Sequence, residues 1–264
     1  MSDEVRYALA GVGAGLERAR LEKLQAIQDP ATHARLDEIG IGRGQRCLEV
    51  GAGAGSIAWA LAERVGEEGE VVAADRDPRF LGDFEGPGRR VVTHDLSAGP
   101  VAPADFDFAH CRALLAHVED LPAAVGHLVE SVRPGGVVLC EEPDYGACEA
   151  CDPSHPHTGV FDFYLEGVLA GERMDPFAGR HVYTAMRHAG LEELRSSAIT
   201  QVVQGGSFPA RYRKETMENV RDSAVKYGSY TEERFQALMD CFDDPSFEYV
   251  DVLWIGAWGR RPST

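Results

Sequence analysis

The chain has 264 residues, and 43 acids against 26 lysines and arginines give it a net charge of -17 at pH 7. Such a chain lacks the cationic surface needed to displace counterions from phosphates, so nucleic acid is excluded as a partner; cationic or neutral ligands suit the field, which also keeps the surface soluble. No run of about 18 apolar residues offers a membrane span, and the opening M-S-D-E-V-R-Y lacks a signal-like apolar core, so a cytoplasmic protein is expected.

In chain order, residues 12–27 carry Leu16, Leu21 and Leu24 at near-helical spacing and predict a helix. Asp29-Pro30 predicts a fresh start, with Pro30 opening a second helix that runs to Gly40. Arg46–Val50 then predicts a buried strand, Gly51–Gly55 a tight turn, Ser56–Val65 a helix and Glu70–Ala74 a second strand. Short strands follow at Arg90–Thr93 and Phe106–His110. A helix follows over Leu121–Val132, ended by Arg133-Pro134-Gly135-Gly136, and then a fifth strand at Val137–Glu141. Repeated strand-then-helix order implies right-handed crossovers and a doubly wound parallel sheet. Later, Val160–Arg173 and Gly179–Ala189 predict helices and Leu191–Val203 a strand. Ala210–Tyr227 and Thr231–Phe242 predict a helical insertion before a last strand, Phe247–Trp258.

The chemistry concentrates in C-L-E-V-G-A-G-A-G-S, residues 47–56. Gly51, Gly53 and Gly55 let the backbone turn sharply and a ligand approach closely, and the following helix N-terminus can receive an anionic group. Alone, such a loop is equally a simple turn. Glu49, inside the strand, suits a ligand bearing an ammonium group, and Ser56 stands where the dinucleotide fingerprint wants a glycine, so nicotinamide binding is disfavoured. Asp75, ending the second strand in V-V-A-A-D-R-D-P, can accept both hydroxyls of a ribose, or else cap a helix. Asp95, in T-H-D-L after the third strand, can accept from an adenine amino group while the Leu96 N–H meets a ring nitrogen; read alone it is an ordinary turn residue.

With L-E-V-G-A-G-A-G, A-A-D-R-D-P, T-H-D-L, A-H-C-R-A-L-L-A-H-V-E-D and V-R-P-G-G-V-V in that order, the chain resembles class I S-adenosylmethionine-dependent methyltransferases over residues 46–142. Its G-L-E-R-A-R-L resembles the entry helix of bacterial enzymes that make or tailor natural products. The resemblance implies an α/β fold: a Rossmann-like, doubly wound seven-stranded sheet with N-terminal helices (1–44), a cofactor-binding half (45–142) and a substrate-binding half with a helical lid (143–264). It implies S-adenosyl-L-methionine as cofactor, its methionine part at Glu49, Gly51, Ala52, Gly53 and Gly55, its ribose at Asp75 with Arg76 alongside, its adenine at Asp95 and Leu96, and Cys111 and Arg112 beside it. Strand four ends H-C-R and lacks the Asn-Pro-Pro-Tyr-like tetrapeptide of amino-methylating nucleic-acid enzymes. The expected reaction is methyl transfer to oxygen or nitrogen, less readily carbon, of a small molecule in secondary metabolism. A cyclisation or rearrangement on the same fold, a nicotinamide-dependent oxidoreductase and a non-catalytic binding protein are the alternatives.

A hydroxyl acceptor would need a base. His117 and then His110 are the candidates, against a structural role for each, and Glu142 beside Glu141 and Asp144 could orient the acceptor or cap a helix. Tyr145, Phe161, Tyr183 and Tyr212 are candidate substrate contacts, although aromatics at helical spacing also form cores. Residues 143–245 are expected to form a mobile cover hinged at Gly205-Gly206 and Gly228. Cys148, Cys151, His155 and His157 have zinc-ligand chemistry, but two prolines stiffen their segment and an ordinary loop is the better reading; no metal site is expected. Cys47, Cys111 and Cys140 read as small core residues, no disulfide framework is visible, and a homodimer is left open.

Overall fold

The computed structural model describes residues 13–162, 164, 174–227 and 230–263. The chain divides into two compact units. The larger comprises Gln28–Glu142, Ala178–Ala198 and Trp254–Thr264; the smaller comprises Met1–Ile27, Pro143–Phe177 and Ile199–Leu253. The segment expected as a single cover is thus shared between them.

The larger unit is built on strands β1 (Arg46–Val50), β2 (Glu70–Asp75), β3 (Arg89–Thr93), β4 (Phe106–Arg112), β5 (Val132–Asp144), β7 (Glu192–Ile199) and β10 (Leu253–Arg260). They form one seven-stranded sheet in the order β3-β2-β1-β4-β5-β10-β7. β1 pairs in parallel with β2 and β4, β2 with β3, and β4 with β5. β1, β2 and β4 are almost wholly buried, as expected of parallel strands covered on both faces. The helix α2 (Ser56–Val65) turns Ile57, Ala58, Leu61 and Val65 into a core with Cys47, Val71, Phe108 and Leu139. The helix α3 (Leu121–Ser131), capped by Asp120, packs on the helix Ala178–His188.

Two boundaries differ from the sequence expectation. Helix α1 (Ala14–Ile39) is continuous, with Pro30 inside it. An interior proline forfeits one helical hydrogen bond, at about 3 kcal/mol. Tertiary bonds to Asp29, Thr32 and Arg35, and burial of Leu36, offset that cost. Helix α3 ends at Ser131, next to the expected stop, but Arg133-Pro134-Gly135-Gly136 already belongs to β5, which begins at Val132 rather than Val137. That segment lies in a bulge, because Phe106 pairs with Val132 but Phe108 pairs with Val137, and Gly135 takes φ +79° within it.

The smaller unit holds a second sheet, β6-β9-β8, that the sequence reading did not contain. β6 (Glu149–Ala150), β8 (Val202–Gln204) and β9 (Glu248–Val250) pair antiparallel. Leu191–Val203 is therefore two strands in different sheets, and so is Phe247–Trp258. Likewise, Ala210–Tyr227 is two helices, Phe208–Asn219 and Arg221–Tyr227, followed by Glu232–Asp243. Of the expected hinges, Gly228 lies outside the described residues. Gly205 and Gly206 are pinned instead: their amides donate to Phe247 O and Phe242 O, at 2.9 and 2.7 Å. A Cβ on Gly205 would lie 2.1 Å from Asp244 O, so close approach explains that glycine. The helix expected over Val160–Arg173 is seen as the turn Thr158–Phe161, and Phe163 and residues 165–173 lie outside the described residues.

Candidate active site

The glycine turn leaves the buried end of β1 with Gly51, Gly53 and Gly55 at φ +71°, +55° and +88°. All three are left-handed conformations, which glycine adopts without a Cβ penalty. The Gly51 amide donates to Ala74 O at 2.8 Å, tying the turn to the end of β2, and Ala52 is buried behind it. A Cβ on Gly51 would meet Leu114 at 3.2 Å, and one on Gly55 would meet Leu81 at 3.0 Å. A side chain at Gly51 or Gly55 would press on packed leucines, so glycine is required there and the turn offers a cradle of bare backbone.

Asp75 accepts from the Gly53 amide at 2.9 Å through Oδ2 and from the Asp77 amide at 2.8 Å through Oδ1. Burial raises its pKa, while those two amides pull it down. Each oxygen keeps one lone pair for further donors. Asp95 caps a short turn by accepting from Ser97 N at 2.9 Å, and exposed Arg76 lies 3.9 Å from its other oxygen. Leu96 is buried at the start of that turn.

Three ionisable residues on neighbouring strands meet behind the turn. His110 on β4 stands opposite Glu49 on β1. Its Nδ1 lies 2.6 Å from Glu49 Oε2, its Nε2 lies 3.0 Å from Glu141 Oε2, and the ring is fully buried. Burial works to lower the pKa of His110, but the Glu49 charge and the bonds to Glu141 and Glu49 outweigh it and raise it to about 9. Burial would raise Glu141, yet His110, Arg112 and Arg35 bring it down to about 2. Arg35, Thr32 and Asp29 of α1 complete the cluster: Arg35 Nη1 pairs with Glu141, and Arg112 donates to Thr32 Oγ1 and Asp29 Oδ1, both at 2.8 Å.

Several expected roles change on this geometry. His110 cannot serve as an acceptor's base, because both ring nitrogens are committed to carboxylates. Glu142 does not face an acceptor: its carboxylate receives the amides of Leu114, Leu115 and Ala116 at 2.9, 2.7 and 3.2 Å, fully buried. Burial still pushes it up to about 7 against those three bonds. Cys111 is wholly buried against Cys140, so packing is its role. His117 ends the short turn after β4, half-buried.

The expected substrate residues are dispersed. Tyr183 is exposed on a helix of the larger unit; Tyr145, Phe161 and Tyr212 are buried in the smaller one. Phe161 is core: its ring lies 4.8 Å from Tyr249, 5.4 Å from Phe247 and 5.5 Å from Tyr164. Tyr145 and Tyr212 flank Arg213, whose Nε donates to Asp251 Oδ1 at 2.8 Å in a buried pair. Nothing in the sequence pattern announced that pair. Three ionisable residues inside apolar strands, at 49, 110 and 141, were a legible sign of the other cluster. Cys148, Cys151, His155 and His157 do not converge. His157 faces Asp244 at 3.2 Å, His155 lies tilted against Phe247 at 5.2 Å, and among the described residues no three His, Cys, Asp or Glu are arranged to hold a metal. Nor is any helix among the described residues long and apolar enough to cross a membrane.

Residues 19–196 match a family model described as a methyltransferase domain. The chain is 29% identical to methyltransferase str3 of Strobilurus tenacellus over 170 residues, 64% of this chain and 58% of that protein. It is 30% identical to the ubiquinone/menaquinone biosynthesis C-methyltransferase UbiE of Idiomarina loihiensis over 205 residues, 72% of this chain and 75% of that one. A Haemonchus contortus phosphoethanolamine N-methyltransferase 2, solved with phosphomonomethylethanolamine and S-adenosylhomocysteine, shares the fold: TM-score 0.56 at 15% identity, covering 88% of this chain and 52% of that one. The glycine turn and the acid at the end of β2 suit either nucleoside cofactor, but the family match removes the nicotinamide alternative: the chain belongs to the S-adenosylmethionine-dependent methyltransferase family in its class I, Rossmann-like form.

Proposed function

We propose that this protein transfers the methyl group of S-adenosylmethionine to an oxygen or nitrogen of a small-molecule acceptor in a tailoring reaction. The observation that supports the reading best is the cradle itself: three left-handed glycines leave β1 while Asp75, on the neighbouring strand, grips the Gly53 amide. The residues fit the cofactor. Gly51–Gly55 and Glu49 would hold the amino-acid end, the free lone pairs of Asp75 the ribose hydroxyls, and Asp95 with Leu96 the adenine. The bound sulfonium supplies an activated methyl and a good leaving group. What the chain must add is alignment and exclusion of water. His117, at the end of the turn after β4, is the base we assign for a hydroxyl acceptor. An acidic protein of net charge -17 favours neutral or cationic acceptors over anionic ones.

Calorimetry with S-adenosylhomocysteine tests the cofactor, with binding expected at micromolar strength, about -8 kcal/mol. Asp75→Ala should weaken it by about 1–3 kcal/mol, because the ribose hydroxyls lose a charged acceptor. No heat and no thermal shift in the wild type would overturn the reading. Product mass spectrometry with candidate acceptors tests the reaction: turnover that releases no demethylated cofactor would replace transfer by cyclisation or rearrangement.

A further inference from the structure

The hydrogen bonds behind the glycine turn form one unbroken circuit within the larger unit. It starts at Ser56, the first residue of α2, whose Oγ donates to Asp29 Oδ1 at 3.1 Å. It passes through Arg112 to Thr32, each bond 2.8 Å, and from Thr32 Oγ1 to Glu141 Oε2 at 2.5 Å. From Glu141 it crosses His110 to Glu49, two residues before Gly51. Both ends of the circuit therefore sit on the flanks of the turn Gly51–Gly55, and α1 supplies the middle.

With Glu49 ionised, Asp29, Glu49 and Glu141 face Arg35, Arg112 and the His110 ring, so three anions meet three cations when the ring is an imidazolium. Burial raises the pKa of Glu49 while His110 and Arg112 pull it down, and a proton on Glu49 against a neutral ring is the one other balanced state; the protonation of the ring distinguishes the two. A neutral imidazole has one N–H. Between two ionised carboxylates it would leave a lone pair facing an oxygen at 2.6 or 3.0 Å. The other neighbours do not replace the proton: Phe108 lies parallel at 6.4 Å, and Glu142, the remaining acid nearby, is already held by three amides.

We propose that His110 is a positioning residue that, as an imidazolium, holds the Glu49 carboxylate in place beside the glycine turn and so sets the site for the amino-acid end of the cofactor. This rests on the reading of the turn as the cofactor site. His110 touches no reacting atom; it orients Glu49 and neutralises it. Glu49 then contributes a directed acceptor rather than a loose buried charge.

The first test needs no variant. In nitrogen-15 spectra of the wild type, both His110 ring nitrogens should be protonated at pH 7, with titration near 9 rather than in the ordinary histidine range. A neutral ring at pH 7 overturns the proposal. The second test compares two nucleosides by calorimetry: S-adenosylhomocysteine, which carries the amino acid, and 5′-methylthioadenosine, which lacks it. His110→Gln should weaken the first by about tenfold and the second by less than about twofold. The double variant with Glu49→Gln should bind no more weakly than Glu49→Gln alone, since both changes break one contact. Equal losses for both nucleosides, or additive losses in the double variant, would reduce His110 to a fold-stabilising residue. If the wild type binds neither nucleoside, the cofactor reading fails and takes this role with it. If it binds both and His110→Gln changes nothing, this role fails alone.

Discussion

Each of the two units buries charge, but in different company. In the larger one, six charged groups from α1, β1, β4 and β5 form a balanced circuit at the end of a sheet whose core is mainly aliphatic, with Phe84, Phe108 and Trp258 among it. In the smaller one the buried charges are separate pairs, Glu17 with Arg20 and Arg213 with Asp251; the latter sits under Tyr145 and Tyr212, and the core is aromatic: Phe161, Tyr164, Phe242, Phe247 and Tyr249. The difference is one of titration. The circuit depends on a histidine, whose proton can leave within an accessible pH range. Each pair depends on an arginine, which keeps its proton throughout. What sets the first region apart is therefore not burial of charge alone but a charge balance that a histidine can titrate, beside a glycine turn.

The comparison breaks most visibly at the pair under the tyrosines. Arg213→Met leaves Asp251 buried without its cation and should destabilise the protein by about 3–5 kcal/mol. Adding Asp251→Asn should recover most of that, because no unpaired charge remains. Urea denaturation followed by circular dichroism measures both. If the double variant were as unstable as the single one, aromatic packing over the guanidinium, rather than charge, would carry the stability.

The circuit should show itself through pH. His110 has a folded pKa raised from 6.5 to about 9, so its stabilisation is complete below 6.5 and is lost as pH rises through 9. That shift corresponds to about 3 kcal/mol by linkage. Glu142, raised from 4.5 to about 7, loses its contribution earlier, as pH rises from 4.5 through 7. Glu141 works on the other side: lowered to about 2, it stabilises above 4.5 and is lost as pH falls toward 2. Between pH 7 and about 8.5, below the range where the buried thiols of Cys148 and Cys241 add their own alkaline decline, denaturation midpoints report on His110, and in His110→Gln the decline over that window should flatten. An unchanged decline in the variant would assign it elsewhere.

The sheet was legible because strand and helix alternate with clear periods from Arg46 to Glu141, and the turn because three closely spaced glycines have few other uses. What escaped did so for identifiable reasons. Pro30 reads as a helix start, yet the bond Asp29 accepts from Arg112 and the bond Thr32 donates to Glu141 hold one helix. β6, β8 and β9 span two or three residues each, too short for alternation to register. His110 was legible as a chemical residue but not in its role: a histidine in a strand reads as a base until its neighbours are known, and Asp29, Thr32 and Arg35 stand far from it in sequence. Phe161 shows the converse, since an aromatic at helical spacing reads equally as pocket or core and only its ring contacts decide.

The smallest effect should come from Tyr249, and it sharpens the contrast between the units. In the circuit, each polar side chain is matched to a partner. In the aromatic core, the Tyr249 hydroxyl is fully buried and has no hydrogen-bond partner among the described residues. Its ring packs against Phe161 at 4.8 Å, Phe242 at 5.9 Å and Phe247 at 6.0 Å. A buried hydroxyl that gains no bond keeps the desolvation cost it incurred on folding, about 1–3 kcal/mol. Tyr249→Phe removes that oxygen and retains the ring contacts, against a small void where the hydroxyl was. The two effects oppose, and relief should slightly exceed the void, giving a gain of up to about 1 kcal/mol. In a chain of this size that raises the unfolding midpoint by about 2–4 °C. A loss of similar size would mean that an ordered water satisfies the hydroxyl, and the smaller unit would then match its polar atoms as fully as the circuit does.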